Sequence, residues 1–253
     1  MVTNIALKTG GDWRTLLDEV SRELVVTGID DNDGVISLPS TYPSGTPVVV
    51  RVRRDRNEFV VTDGGYGYLE AEHMGGTGTF GRIAPNAAGK YGVKFDGQMM
   101  FAVEVDRDRL ASAIIFTAAA SRKAVELTAE KLAEERDNSN RDRMHSLLRA
   151  AFKDKAAFEV EFTGRSTKHW RFDAIVRDAN RWALFDMVTA HHVSINSSIV
   201  KFQDVMRLED GPNGIAILTN KKAMDSADIT LLSNAAGRIV TLDTTPQELA
   251  LAA

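Results

Sequence analysis

Hydrophobic and polar positions in the first half of the chain change period several times. In residues 12–26, apolar side chains recur every three or four positions, which is the spacing of one face of a helix. Apolar and polar residues alternate in VVVRVR, residues 48–53, as they do along a strand with one buried face. These and similar patterns predict a helix over 12–26, two strands joined by the charged turn RRDRN, a short helix over 67–74, a hairpin that turns at Asp96 and Gly97, and a helix over 107–136.

The second half has a different order of elements. Three consecutive runs of strand-like residues follow a helix, and helices and strands alternate after them. This order is typical of a mixed sheet with helices on its faces. The predicted elements are a helix over 141–152, strands over FEVEFTG, WRFDAIV and WALFDMVT, a helix over 197–208, the strand GIAILTN, the helix ADITLLSNAAG and the strand RIVTLD.

A polar run, RDNSN at residues 136–140, is predicted to end the long helix and to separate two domains. The first, residues 1–136, is expected to be an α+β domain that ends in the long helix. The second, residues 137–253, is expected to be an α/β domain with a mixed sheet. The helix over 107–136 is expected to pack on its own domain, and its charged side is a candidate surface for a homodimer.

Composition narrows the class of protein. The chain has no cysteine, which excludes disulfides and cysteine-ligated zinc. A net charge of −4 argues against a protein that coats DNA through a strongly basic surface. No stretch reaches the roughly 18 apolar residues of a membrane span, and the N-terminus lacks the pattern of a signal peptide. We therefore expect a cytoplasmic protein that does not bind membranes.

Two glycine-containing motifs offer candidate ligand sites in the first half. The stretch GTGTFG, residues 76–81, matches the dinucleotide fingerprint in letters, but it follows a predicted helix instead of a strand, and Pro85 comes soon after it. It is predicted to be a flexible loop. Asp63 precedes two glycines at a strand end, which favours a turn. The alternative is a loop that binds a small ligand through Asp63, Tyr66 and Tyr68.

The predicted strands WRFDAIV and WALFDMVT carry the most specific candidate chemistry. Asp173 and Asp186 lie near the middle of these neighbouring strands and are expected to approach each other. Two rigidly held carboxylates suit Mg²⁺, which prefers oxygen ligands. The alternative is that both carboxylates only form local bonds, with arginines nearby. No cofactor is expected unless the protein is an active nuclease, in which case Mg²⁺ would bind at Asp173 and Asp186.

The arrangement of a helix, three strands, a helix and a strand resembles the PD-(D/E)xK nuclease superfamily, whose fold is that of restriction endonucleases. The resemblance assigns the first acid of the motif to Asp173 and the second to Asp186. The lysine of the motif falls on Val188, which departs from the pattern. Lys201 on the following helix is the candidate replacement, as in members of the superfamily whose lysine lies on a helix.

The whole chain also resembles a two-part prokaryotic and phage protein made of domain-of-unknown-function families 1828 and 1829. The first half carries this resemblance in FVVTDGGYGYLE, YGVKFDGQMMFAVEV and LASAIIFTAAASR, and the second half in FTGRSTKHWRFDAIV and SSIVKFQDV. It implies a setting among phages and mobile elements, where a role in bacterial defence or anti-defence is an expectation. It implies no reaction.

The leading hypothesis is a degenerate nuclease-like protein that binds a protein or nucleic-acid partner without catalysis. Arg171, Arg181 and Gln203 are the candidate binding residues beside the two aspartates. One alternative is an active Mg²⁺-dependent nuclease that uses Asp173, Asp186 and Lys201. Another is the small-ligand sensor built on the loop from Asp63 to Tyr68.

Overall fold

A computed structural model of the chain describes residues 13–30, 33–178, 181–208 and 211–253, with the side chains of 178 and 181 outside the description. The chain forms two compact units, Met1–Glu134 and Glu135–Ala253. One contains an antiparallel sheet of six strands and the other a mixed sheet of five strands. Helices accompany both sheets, so the chain has a two-domain α+β fold.

The first unit is built on a sheet with strand order β1-β2-β3-β4-β6-β5, in which every neighbouring pair is antiparallel. The hairpin predicted at Asp96 and Gly97 is confirmed, since it joins β5 to β6. The elements are α1 (Trp13–Leu24), β1 (Val26–Asp30), β2 (Asp33–Thr41), β3 (Pro47–Asp55), β4 (Glu58–Thr62), α2 (Tyr66–His73), α3 (Thr77–Tyr91), β5 (Lys94–Phe95), β6 (Phe101–Val105) and the beginning of α4 (Leu110–Phe152).

The loop predicted at residues 76–81 is wrong, because most of this stretch belongs to α3. The apolar side of α3 is fully buried through Phe80, Ala84, Ala87 and Ala88, and burial of such a face stabilises a helix beyond its intrinsic propensity. Pro85 lies on the exposed side of the helix, away from this apolar face.

The predicted interruption at residues 136–140 is also wrong, because α4 continues through this run to Phe152. Asparagine, serine and aspartate each disfavour a helix by less than about 1 kcal/mol, and the run contains no glycine or proline. The beginning of α4 packs into the core of the first unit through Ala120, Ala124 and Val125. The long helix thus contributes to the core of its own domain, as expected.

The second unit contains a sheet with strand order β11-β10-β9-β8-β7. The strands β7, β8 and β9 pair antiparallel with their neighbours, whereas β9, β10 and β11 run parallel. Besides the end of α4, the elements are β7 (Ala156–Thr163), β8 (His169–Asp178), β9 (Arg181–Val188), α5 (His192–Val205), β10 (Asn213–Leu218), α6 (Ser226–Ala236), β11 (Arg238–Thr241) and α7 (Pro246–Ala252).

Separate apolar cores cover the two faces of this sheet. On one face, Leu184 and Val188 of β9 pack in a core with Phe202 of α5 and residues of α6. On the other face, Phe185 of β9 lies in a core with Leu148 of α4 and residues of α7. Among the described residues, no helix combines the length and apolar character needed to cross a membrane.

Candidate active site

Asp173 and Asp186 lie where β8 and β9 stop pairing. The register between the strands ends at Ala174 opposite Phe185, so Asp173 and Asp186 would form the next pair. Instead, the Oδ2 atom of Asp173 accepts a hydrogen bond from the backbone N–H of Met187 at 2.6 Å. The carboxylate of Asp173 thus bonds β9 where pairing between the two backbones has ended.

The face alternation of β8 also changes at Asp173. Phe172 and Ile175 pack into the core beside α5, whereas Ala174 and Val176 pack into the core on the other face. In a regular strand, residues 172 and 174 would share a face. The irregularity at Asp173 redirects its side chain toward β9, as irregular strand positions often do beside active sites.

The carboxylate of Asp186 is buried, with 3% of the residue exposed. The Oγ–H of Ser198 donates a short hydrogen bond to its Oδ2 atom. The Nζ atom of Lys201 lies 2.9 Å from Oδ1 and 3.1 Å from Oδ2, so the ammonium contacts both oxygens. Both partners come from α5, and the aspartate therefore joins β9 to this helix.

Burial raises the pKa of Asp186 above its ordinary value, because the charged form loses contact with water. The charge of Lys201 and the hydrogen bond from Ser198 oppose this rise, and the nearby charge of Asp173 adds to it. An acid whose pKa reflects burial, a cation and a second acid is a functional-site candidate on physical grounds.

One side of α5 carries the polar residues that contact the sheet. Ser194, Ser198, Lys201 and Asp204 recur at the spacing of a helix face. Ser194 accepts a hydrogen bond from the backbone N–H of Thr189, just past the end of β9. We call these four residues the polar side of α5.

The structure places Lys201, the predicted replacement for the lysine of the motif, against Asp186. Its side chain is 19% exposed, and its Nζ lies 5.6 Å from the centre of the Phe172 ring. Val188, at the motif's lysine position, is fully buried in the apolar core, where a lysine would lose its hydration.

The donor set of the site fits a hard cation only in part. Asp173 and Asp186 supply carboxylate oxygens. Among the described residues, no group of three or more His, Cys, Asp or Glu side chains could hold a metal ion, either at this site or elsewhere. Mg²⁺ commonly takes one or two carboxylates and completes its coordination with water and substrate phosphates. Two carboxylates therefore suffice for Mg²⁺ that binds together with a phosphodiester.

The other candidate binding residues of the second unit have different surroundings. Arg171 is exposed, and its guanidinium donates hydrogen bonds to Glu159 of β7, the Nε bond at 2.9 Å. Gln203 is exposed on α5. The side chain of Arg181 lies outside the described residues.

The candidate ligand loop of the first unit is part of its core. Asp63 is fully buried and accepts hydrogen bonds from the backbone N–H groups of Gly65, Gly67 and Phe101 and from the hydroxyl of Ser121. Burial raises its pKa against the effect of these donors. The carboxylate thus holds the turn between β4 and α2 to two other parts of the unit.

The two tyrosines after Asp63 are half-buried. Tyr66 and Tyr68 both pack against the core of the first unit. The ring of Tyr68 meets that of Phe80 edge to face, with centroids 6.3 Å apart. The structure therefore places all three candidate sensor residues in packing or turn-forming positions.

Sequence reasoning did not identify Ser198, Ser194 or Asp204 as parts of the site. The available signal was the recurrence of polar residues along one side of a helix whose neighbouring positions are apolar.

Compared with protein-family models and with curated proteins, the chain gives no significant match. The resemblances stated from the sequence therefore stay predictions.

Proposed function

We propose that the second unit is a metal-dependent nuclease of the PD-(D/E)xK type, with Asp173, Asp186 and Lys201 as its active-site residues. Support comes from the order of its elements, in which the end of α4, three strands, α5 and β10 follow one another. This is the order on which the resemblance to the superfamily rests. The proposal favours the active alternative over the degenerate one.

The observation that carries this proposal is the contact of Lys201 with both oxygens of Asp186, beside Asp173. The contact supplies from α5 the cation that the sequence lacks at Val188. A buried ion pair seldom stabilises a fold more than apolar residues of similar size, because both charges lose their hydration. A chemical role accounts for the pair better than a contribution to stability does.

The residues of the chain have separate roles in this proposal. Asp173 and Asp186 would hold Mg²⁺, which when bound activates water and neutralises charge on the phosphate. Ser198 fixes the orientation of the Asp186 carboxylate through its hydrogen bond. Lys201 stabilises the negative charge that develops on the phosphate, as a positioned cation does in phosphoryl chemistry.

A second candidate function is binding of a protein or nucleic-acid partner without cleavage. It is favoured by the saturation of Asp186, whose oxygens are both occupied by Lys201 and Ser198. In that case the pair would be a permanent structural contact, and Mg²⁺ would not displace the ammonium. A setting in phage–host or mobile-element conflict is compatible with both functions and stays a prediction.

Cleavage of labelled DNA and RNA with Mg²⁺ or Mn²⁺ tests the choice. Asp186→Asn and Lys201→Met are expected to lower the cleavage rate at least about 100-fold, because each removes a group that acts on the reacting phosphate. Asp228→Asn, which neutralises a half-buried acid in the first turn of α6, is the matched control and should cleave like the wild type. Cleavage that survives both site substitutions, or its absence in the wild type with either metal, would contradict the proposal.

A further inference from the structure

A short turn next to the candidate active site is held by α5. Residues 164–168 join β7 to β8, and Asp204 of α5 contacts this turn through both carboxylate oxygens. Its Oδ1 accepts from the backbone N–H of Ser166 at 2.8 Å, and its Oδ2 accepts from the hydroxyl of Ser166 at 2.6 Å and from Nε1 of Trp170 at 2.7 Å. One side chain thus fixes both the turn and the first part of β8.

The turn packs closely against Asp204. A Cβ atom on Gly164 would lie 2.0 Å from Oδ2 of Asp204 and 3.1 Å from Nε1 of Trp170, so only glycine fits. Thr167 has a φ of 69°, which is unusual for a β-branched residue. These features fix the backbone of an exposed turn that would otherwise sample many conformations.

The fixed turn presents positive charge. Arg165 and Lys168 are exposed, and the Nζ of Lys168 lies 3.9 Å from the centre of the Trp170 ring. The bonds from Ser166 and Trp170 lower the pKa of Asp204, and both of its carboxylate oxygens accept from the turn or from β8. The two cations are thus exposed, while the neighbouring carboxylate is engaged in hydrogen bonds with the turn itself.

The turn and the candidate active site belong to one side of the second unit. Trp170 and Phe172 pack into the same core, and Lys201 lies over the Phe172 ring. Asp204 follows Lys201 by about one helical turn on the polar side of α5. Five strand residues at about 3.3 Å each place Lys168 within about 17 Å of Asp173, a span of a few nucleotides.

We propose that the turn of residues 164–168 binds the phosphate backbone of a nucleic-acid strand and directs it toward Asp173 and Asp186. This proposal rests on the nuclease function above and adds a substrate-binding element to it. Arginine and lysine suit this role because they contact phosphates without reading the base sequence. A turn that is already fixed loses little further conformational entropy when it binds.

Removal of the two cations tests the role of their charge. Binding is measured by fluorescence anisotropy with a labelled 20-nucleotide single strand and the matching duplex. Ca²⁺ replaces Mg²⁺, so that affinity is measured independently of the cleavage reaction. Arg165→Ala/Lys168→Ala should weaken binding at least about 10-fold and reduce the slope of log affinity against log salt by about 1.8 for the duplex. Arg136→Ala/Lys153→Ala removes the same charge from exposed positions outside the turn and should change affinity less than twofold.

A second variant separates the position of the cations from their charge. Asp204→Asn keeps Arg165 and Lys168 but replaces one accepting oxygen by an amide nitrogen, which cannot accept from the backbone N–H of Ser166 or from Nε1 of Trp170. If the fixed turn matters, affinity falls although the protein becomes more positive by one charge. Asp154→Asn adds the same charge at an exposed position beside the opposite end of β7 and should leave affinity unchanged or slightly higher.

The outcomes separate this inference from the nuclease function. Loss of binding in both turn variants, with no cleavage by the wild type, would support the turn and contradict the nuclease. Cleavage by the wild type with unchanged affinity in Arg165→Ala/Lys168→Ala would overturn the turn proposal alone. Higher affinity in Asp204→Asn would overturn the proposal, because it would show that charge governs binding without positioning. Capture of a protein instead of either oligonucleotide would overturn it as well.

Discussion

Replacing Lys201 by methionine should destabilise the second unit, because it leaves the Asp186 carboxylate buried with Ser198 as its remaining side-chain donor. The side chain of Asp186 is 5% exposed, and that of Lys201 is 19% exposed. Removal of one partner from a fully buried pair costs about 3–5 kcal/mol. Since Lys201 keeps some contact with water, we expect Lys201→Met to lower the free energy of unfolding by about 2–3 kcal/mol at pH 8.

The loss of stability in Lys201→Met should be larger at high pH than at low pH. Burial raises the folded-state pKa of Asp186 above its unfolded value, so the folded state binds the proton more tightly. The stability linked to this group is full below the unfolded pKa and is lost as pH rises through the folded pKa. Without Lys201 this pKa rises further, and the cost of the substitution should shrink by up to about 1.4 kcal/mol per pH unit on acidification.

Urea denaturation followed by tryptophan fluorescence measures this effect in the second unit. In a Trp13→Phe background, Trp170 and Trp182 report on this unit alone, since both belong to it. The double variant Asp186→Leu/Lys201→Met is the matched control, because it replaces the ion pair by apolar side chains. It should recover most of the lost stability or exceed the wild type.

Two results would refute this reasoning. A urea midpoint for Lys201→Met that equals the wild-type midpoint at pH 8 would mean that Asp186 does not depend on the ammonium. A double variant that is as unstable as the single variant would mean that packing of the lysine stem, not the pairing of charges, contributes the stability.

Three further predictions concern other parts of the chain. Asp63→Ala should destabilise the first unit by about 3 kcal/mol or more, because it leaves several buried donors without an acceptor. Hydrogen exchange at the backbone amides of Gly65, Gly67 and Phe101 should therefore accelerate in this variant. Burial raises the pKa of Asp63, so the first unit should gain stability as pH falls from neutral toward that pKa, and thermal unfolding of Asp63→Asn should lack this gain. Gly164→Ala should weaken oligonucleotide binding as Asp204→Asn does, whereas Gly78→Ala, whose Cβ meets no atom within 4 Å, should bind like the wild type.

Much of the second unit followed from the sequence because its strands are consecutive and strongly apolar. The predicted strands WRFDAIV and WALFDMVT correspond to β8 and β9 within a few residues. Neighbouring antiparallel strands bring Asp173 close to Asp186 whenever the register is set by a short connection. The helix after β9 was predicted later than it begins, since α5 starts at His192 and the side chain of His191 caps it.

The errors in the sequence predictions share a physical cause. Glycines and Pro85 in α3 and the polar run of residues 136–140 in α4 have low helix propensity, and both stretches are helical in the structure. The cost of low helix propensity is a few tenths of a kcal/mol to about 1 kcal/mol for most residues and about 3 kcal/mol for a proline inside a helix. Burial of Phe80 and of the alanines that follow it outweighs these costs in α3, and no local pattern states which face will be buried.

The detailed construction of the site lay beyond sequence reasoning because it depends on contacts between distant residues. Asp204 contacts Ser166 across 38 positions of sequence, and nothing in either local pattern indicates the partner. Ser198 and Lys201 were near each other on a predicted helix, but the rotation of that helix about its axis decides which strand they reach. The bonds among these residues therefore could not be predicted from the sequence.

The polar side of α5 connects three features of the second unit through one rigid element. Ser194 contacts the end of β9, Ser198 and Lys201 contact Asp186, and Asp204 contacts the turn between β7 and β8. Apolar residues would join the helix to the sheet with less loss of hydration. In the proposed nuclease, a helix that places a cation against a buried acid, and a second acid against a basic turn, would fix these charged groups relative to a substrate.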